Sequence, residues 1–275
     1  MQIELIHTGF FYADGGAMFG AVPKKVWSRH YPSNKQNSCI LSMTTLLIRT
    51  GERVILVDTG AGNKHLKQLS YYRFFNLTDL HYELFKRNIM PEQVSDVILT
   101  HLHFDHCGYL TLHKQECEQL DVAFPNARHW ISEQQWENFL SPNPLEKDSF
   151  FDENILPVKA KGLLHLVKHN CTLCEGVSLK LYNGHTLGQI VPYIGTKERT
   201  FVFAGDVIPL AASVSPKWIS AYDNYPVTSY HEKILLLTEA EKEHQAVIYC
   251  HDAYTKCTTI KKVRDSYKSG LEVQI

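Results

Sequence analysis

Apolar side chains alternate or cluster over residues 3–11, over 43–48 and over Val54–Val57, with the turn-forming Arg49-Thr50-Gly51-Glu52 between the last two runs. These lengths predict strands, and their close succession predicts a β-meander. Helical spacing follows over 77–88 and stops before Pro91, and the short β-branched run at 94–99 predicts a buried strand. Residues 128–131 predict another strand, after which Ser132 is placed to cap a helix over Glu133–Leu140, closed by Pro142-Asn143-Pro144. Residues 141–160 read as a surface excursion. In the second half, strands are expected at Val177–Tyr182, 191–194, 201–204 and 246–250, with a helix over 229–243. Hairpin-like pairs come first and βαβ-like pairs later, so the expected class is α/β, with two mixed β-sheets and helices outside them. No linker or short repeat divides the chain, and a single domain over 1–275 is expected.

Composition narrows the partners. With 44% apolar and 21% charged residues, a 275-residue chain has ample material for a core. A formal charge of −1, without any Lys/Arg-rich run, disfavours nucleic acid and leaves a small molecule as the expected substrate. No apolar run approaches the roughly 20 residues that cross a bilayer, so no membrane partner is expected. The start lacks a basic region followed by a long apolar one, so no signal peptide is expected either. Seven scattered cysteines then fit thiols in a reducing compartment, and the cytoplasm is the expected location. The oligomeric state stays open, and a homodimer is compatible with the sequence.

The chemistry is concentrated after the run at 94–99, in Thr100-His101-Leu102-His103-Phe104-Asp105-His106-Cys107-Gly108. Turn formation does not require three histidines, whereas imidazole nitrogen and carboxylate oxygen together suit a borderline divalent metal. A loop leaving a strand end can aim His101 and His103 at one ion and Asp105 and His106 at a neighbouring point. Three further positions, Gly184-His185-Thr186, Gly205-Asp206-Val207 and Cys250-His251-Asp252, also close strand-like runs. Asp58, at the end of Val54–Val57, is placed to accept the distal ring N–H of a metal-bound imidazole. Cys171-Thr172-Leu173-Cys174 supplies only two of the four ligands a structural zinc needs and is read as ordinary thiols. Cys107 and the remaining histidines, His7 and His129 among them, are read as structural or surface residues.

His101 to His106, with Asp58 upstream and His185, Asp206 and His251 downstream, resembles the metallo-β-lactamase superfamily over nearly the whole chain. The resemblance implies a four-layer αββα sandwich and two metal ions. By that resemblance the first ion is held by His101, His103 and His185, the second by Asp105, His106 and His251, with Asp206 bridging both. Zinc is the first expectation, with manganese, iron and cobalt as alternatives that a His/Asp set also accepts. Within the superfamily, the stretches 14–24 and 221–226 resemble the branch of quorum-quenching lactonases and methyl-parathion-hydrolase-like enzymes. Met18, Phe19 and Trp27 are then expected to form an apolar lip over the metals, with Tyr222 in the substrate pocket. Two departures stand out. Lactonases of that branch often carry a tyrosine where this chain has Pro209, leaving Tyr222, Tyr225 or Tyr12 to polarise a carbonyl. Leu187 and Gln189 also replace residues common in relatives, at positions that are not ligands.

The implied reaction is hydrolysis of a lactone or ester by a metal-bridging hydroxide, N-acyl homoserine lactone being one candidate substrate. Asp105 and Asp206 are the expected catalytic carboxylates, Asp105 shuttling a proton to the leaving alkoxide. A phosphotriesterase-like hydrolase is the nearest alternative. The fold also hosts iron-dependent oxidoreductases and nucleases. A flavin-coupled reductase needs a flavin domain that this chain has no residues to build, and the balanced charge argues against a nuclease.

Overall fold

The computed structural model describes residues 1–113 and 119–275. The chain forms two compact units, residues 1–10 with 43–169 and residues 11–42 with 170–275. Among the described residues, no helix is long and apolar enough to cross a membrane.

In the first unit, a six-stranded sheet has the order β1 (Gln2–Asp14), β2 (Ser38–Arg49), β3 (Val54–Val57), β4 (Asp96–Ile98), β7 (Arg128–Ser132) and β8 (Leu164–Val167). The first two strands continue along the chain into the second unit. β5 (Thr111–His113) and β6 (Leu120–Val122) form a separate antiparallel pair. β3 joins β2 antiparallel but β4 parallel, and β4, β7 and β8 continue parallel, so the sheet is mixed. β4 is buried throughout, and apolar apart from Asp96, as a strand covered on both faces should be. Four helices accompany the sheet: α3 (Leu80–Phe85), α4 (Phe104–Cys107), α5 (Glu133–Leu140) and α6 (Asp152–Ala160).

α3 is shorter than the 77–88 periodicity predicts. Asp79 caps it by accepting from the Tyr82 N–H at 2.9 Å, and Asn88, at φ 57°, turns the chain left-handed just beyond. α5 runs as the sequence predicts, with Ser132 Oγ accepting from Gln135 N at 2.9 Å. The expected surface excursion at 141–160 needs correction: it contains α6, whose Ile155 and Val158 enter the core. Pro157 masks this helix in the sequence because it removes the N–H that would bond Glu153 C=O. The Thr111 hydroxyl donates to that carbonyl instead, at 2.6 Å.

His129 sits on β7 with Val97 and Leu164 as strand neighbours, and its residue is fully buried. Burial pushes its pKa down from 6.5 to about 4. Below pH 6.5 the unfolded chain protonates this ring while the folded one does not, so stability is lost as pH falls through that interval. The loss amounts to about 3 kcal/mol, by the conversion of roughly 1.4 kcal/mol per pKa unit. Denaturant unfolding of metal-depleted protein at pH 7.5 and pH 4 should show this extra loss in the wild type and not in His129→Leu. Equal losses would contradict it.

The second unit holds a seven-stranded sheet with its own core. Its order is β15 (Ser266–Glu272), β14 (Cys257–Val263), β13 (Ala246–Ile248), β12 (Thr200–Phe203), β11 (Gln189–Gly195), β10 (Val177–Tyr182) and β9 (Cys171–Cys174). Neighbours are antiparallel except β12 and β13, which run parallel. Helices α1 (Gly15–Phe19), α2 (Lys24–Trp27) and α7 (Pro226–Lys242) belong to this unit, and Leu236, Leu237 and Ala240 of α7 pack with Val191, Val202 and Val247 of the sheet. The sequence pattern misses β9 and the β14–β15 hairpin. Lys261, Lys262 and Lys268 are exposed there, so polar positions interrupt the apolar alternation.

Candidate metal centre

Each unit places its reactive groups where a parallel strand pair ends, the position at which side chains from neighbouring strands converge without closing the site. In the first unit the pair is β3 and β4. Asp58 follows β3 in a left-handed conformation (φ 56°), with its N–H on Ile98 O at 2.9 Å. The chain leaving β4 passes Thr100 and His101, and His103 starts the single turn of α4 that carries Asp105 and His106.

Hydrogen bonds fix these rings. Asp58 accepts from Thr100 N at 2.7 Å, from the Thr100 hydroxyl at 2.8 Å and from His106 Nδ1 at 2.8 Å. Having donated to Asp58, the Thr100 oxygen is an acceptor for His101 Nδ1, 3.0 Å away. His103 is held at the other nitrogen, Nε2, which lies 3.4 Å from Glu146 Oε2. The carboxylate of Glu146 is itself held by Asn138 of α5, and Gln135 of the same helix accepts from Leu102 N at 3.1 Å. The outcome is a clustered set of imidazoles: the His101 ring lies 4.4 Å from that of His103 and 4.0 Å from that of His106. Asp105 Oδ2 stands 3.8 Å from His106 Nε2.

In the second unit the parallel pair is β12 and β13, followed by Asp206 and His251. His185 lies on the β10–β11 connection. Asp206 lies between the two imidazoles, with Oδ1 3.1 Å from His251 Nε2 and Oδ2 3.5 Å from His185 Nε2. Their outer nitrogens are again occupied: His251 Nδ1 lies 2.8 Å from Ser42 C=O, and His185 Nδ1 lies 3.0 Å from Asp223. Cys250 donates to Asp206 Oδ1 at 3.3 Å, and Asp206, Cys250 and His251 each present a ligand atom within 4.8 Å of the others. Burial opposes a charged His251, but its neighbours Cys250 and Asp206 outweigh burial and raise the pKa well above the ordinary value. The position thus favours a cation, and a divalent ion in place of the proton would meet the same field.

Sequence reading missed the groups that hold these loops. Glu232 of α7 accepts from Asn183 N at 2.7 Å and Gly184 N at 2.8 Å, the two amides before His185. Gly184 is a close-approach glycine, since a Cβ there would lie 2.4 Å from Ser229 Cα. Asn224 closes the clamp, donating to His185 O through its backbone at 3.0 Å and its side chain at 2.9 Å.

The expected lip also needs correction. Phe19 is fully buried, Trp27 is 1% exposed and Met18 is 5% exposed. Phe19 stacks on Trp27 at 4.7 Å and meets Trp218 edge-on at 5.9 Å, so these rings pack the second unit and offer almost no surface to a ligand. Tyr222 is 39% exposed. In the first unit, burial and then the charge of Asp105 push the Tyr72 phenol up to about 12, and the Tyr72 ring lies 5.1 Å from that of Phe104, the residue before Asp105. Cys171 and Cys174 lie in β9, with a register shift between their pairing positions.

Comparison with known proteins agrees with this arrangement. Residues 42–248 match the model of the metallo-beta-lactamase superfamily. The chain is 25% identical to the probable metallo-hydrolase YqgX of Bacillus subtilis (strain 168) over 166 residues, covering 59% of this chain and 71% of that protein. A crystal structure of a probable metal-dependent hydrolase from Staphylococcus aureus superposes with TM-score 0.88 and 28% identity, covering 99% of this chain and 98% of that one. The dizinc quorum-quenching lactonase AidC shares the fold at TM-score 0.81 and 18% identity, over 99% of this chain and 95% of its own. The chain therefore belongs to the metallo-β-lactamase superfamily, with the mixed α/β fold, the His/Asp set for divalent metal and the metallo-hydrolase character of that family.

Proposed function

We propose that the protein is a dinuclear metal-dependent hydrolase that opens a lactone or cleaves an ester. The observation that carries this reading is the state of the five histidines. Each has one ring nitrogen committed to an orienting partner: Thr100, Glu146, Asp58, Asp223 or Ser42 C=O. Metal-binding histidines are prepared in this way, because the acceptor on the nitrogen that does not bind metal fixes tautomer and ring direction. By this logic His101, His106, His185 and His251 bind through Nε2 and His103 through Nδ1.

His101, His103 and His185 are assigned to the first ion, Asp105, His106 and His251 to the second, and Asp206 to both. Divalent ions bound there supply Lewis acidity, acidifying water and polarising a carbonyl or phosphoryl oxygen. Zinc is the metal proposed, in line with the dizinc relative. Asp206 supplies the shared negative charge, and Asp105 is placed to carry a proton towards the leaving alkoxide. Tyr72, whose ring lies 5.1 Å from that of Phe104, the residue before Asp105, is proposed to donate to the substrate oxygen in place of a residue at Pro209.

With the apolar lip closed, the case for an uncharged substrate rests on net charge and on the family branch. A chain of formal charge −1 lacks the cation excess that holds a polyanion. Steady-state assays of short- and long-chain acyl lactones and carboxylic esters, run beside a phosphodiester, should give the lactone or ester the higher kcat/KM. Faster phosphodiester cleavage, or salt-sensitive RNA binding, would contradict the assignment.

A further inference from the structure

A cavity of about 600 Å³ lies wholly within the second unit, and none of the seven proposed metal ligands lines it. Ala211 and Asp252, from the segments that follow β12 and β13, contribute to its wall. Accessible rings come from three separate segments, through His30, Trp218 and Tyr254, while Tyr31 and Tyr267 of the lining are buried. That volume and aromatic lining match small-molecule sites, where a few placed polar groups set orientation.

Its wall is held in place. The Tyr31 hydroxyl donates to Ile40 O at 2.7 Å and accepts from Ala253 N at 3.1 Å. His30 meets Trp218, and Tyr31 meets Tyr254, each at 5.3 Å and edge-on. Asp252 is saturated by the amides of Ala211, Tyr254 and Thr255 at 2.9, 2.9 and 2.8 Å, so it serves as scaffold. Lys233, 1% exposed, donates to Ser213 O at 2.6 Å and Trp218 O at 2.7 Å, bracketing the segment that carries Val214, Ser215 and Trp218. Burying an ammonium costs several kcal/mol, and a well-packed apolar residue would avoid that cost. The charge stands where it fixes both ends of one cavity wall.

Lys268 lines the same cavity and is exposed, and strand register sets Lys261 directly opposite it. Like charges so placed destabilise a hairpin. Neither ammonium has an ion-pair partner among the described residues. Glu272 also lines the cavity, four residues further along β15 and so about 13 Å away by strand rise. An anion beside Lys268 would relieve the repulsion without meeting that carboxylate.

We propose that this cavity is a second small-molecule site, taking a planar aromatic carboxylate with its ring among the aromatic side chains and its carboxylate on Lys268. Calorimetric titration of the whole protein with indole-3-acetate tests it, with neutral indole-3-ethanol as control and with metal-loaded and metal-depleted samples in parallel. The expected result is saturable binding of one indole-3-acetate per chain that survives metal removal. Binding should weaken about tenfold in Lys268→Ala and with the neutral probe, as loss of one charge-assisted contact implies. Absence of saturable binding, dependence on the metals, or indifference to Lys268→Ala would each overturn the proposal. The Lys268 side chain is exposed and in no ion pair among the described residues, so its variant folds and keeps the test decisive.

Discussion

Asp206→Ala is expected to lose roughly a thousandfold or more in kcat/KM, about 4 kcal/mol of transition-state stabilisation, together with most bound metal. Its carboxylate is the negative centre between His185 and His251, at 3.5 and 3.1 Å. Cys250 is the nearest alternative ligand, but it is placed to donate to Asp206 and not to bridge. Kinetic assays with metal analysis check this expectation. A variant that retained both ions and a tenth of the activity would remove Asp206 from the role assigned to it.

The carboxylates that hold the imidazoles should matter less, and in a graded way. Asp58→Ala and Asp223→Ala are each expected to cost roughly 10–100-fold in metal affinity or activity, the usual range for a carboxylate that hydrogen-bonds the outer nitrogen of a metal-bound histidine. Asp58 should stand at the upper end, because it holds His106 directly and His101 through Thr100, whereas Asp223 holds His185 alone. Competition against a chelator measures the affinity term by itself. Losses equal to that of Asp206→Ala, or no loss at all, would count against the orienting role.

How far the sequence carried the site follows from distance along the chain. His101 to His106 is legible because four metal-competent side chains fall within six residues, and Asp58, His185, Asp206 and His251 because each closes an apolar run. The groups that aim them carry no local mark. Glu146 lies 43 positions from His103, Asp223 lies 38 from His185 and Glu232 lies 49 from Asn183, and each is an ordinary acidic residue until the fold buries it. Burial likewise decided Phe19 and Trp27. Their apolar character fits a lip or a core equally well, and only the packing partners separate the two. In the fold, Val54–Val57, Val177–Tyr182 and the Ser132-capped α5 were legible from short-range pattern alone. α6 was hidden by Pro157, and the β14–β15 hairpin by lysines on its exposed face.

Metal titration of the depleted protein, followed by calorimetry and elemental analysis in the wild type, His106→Ala and His251→Ala, tests the central claim most directly. Two divalent ions per wild-type chain, falling towards one in either variant, is the result expected of a dinuclear centre. Saturation at one ion per chain, unchanged by loss of His106 or His251, would contradict it.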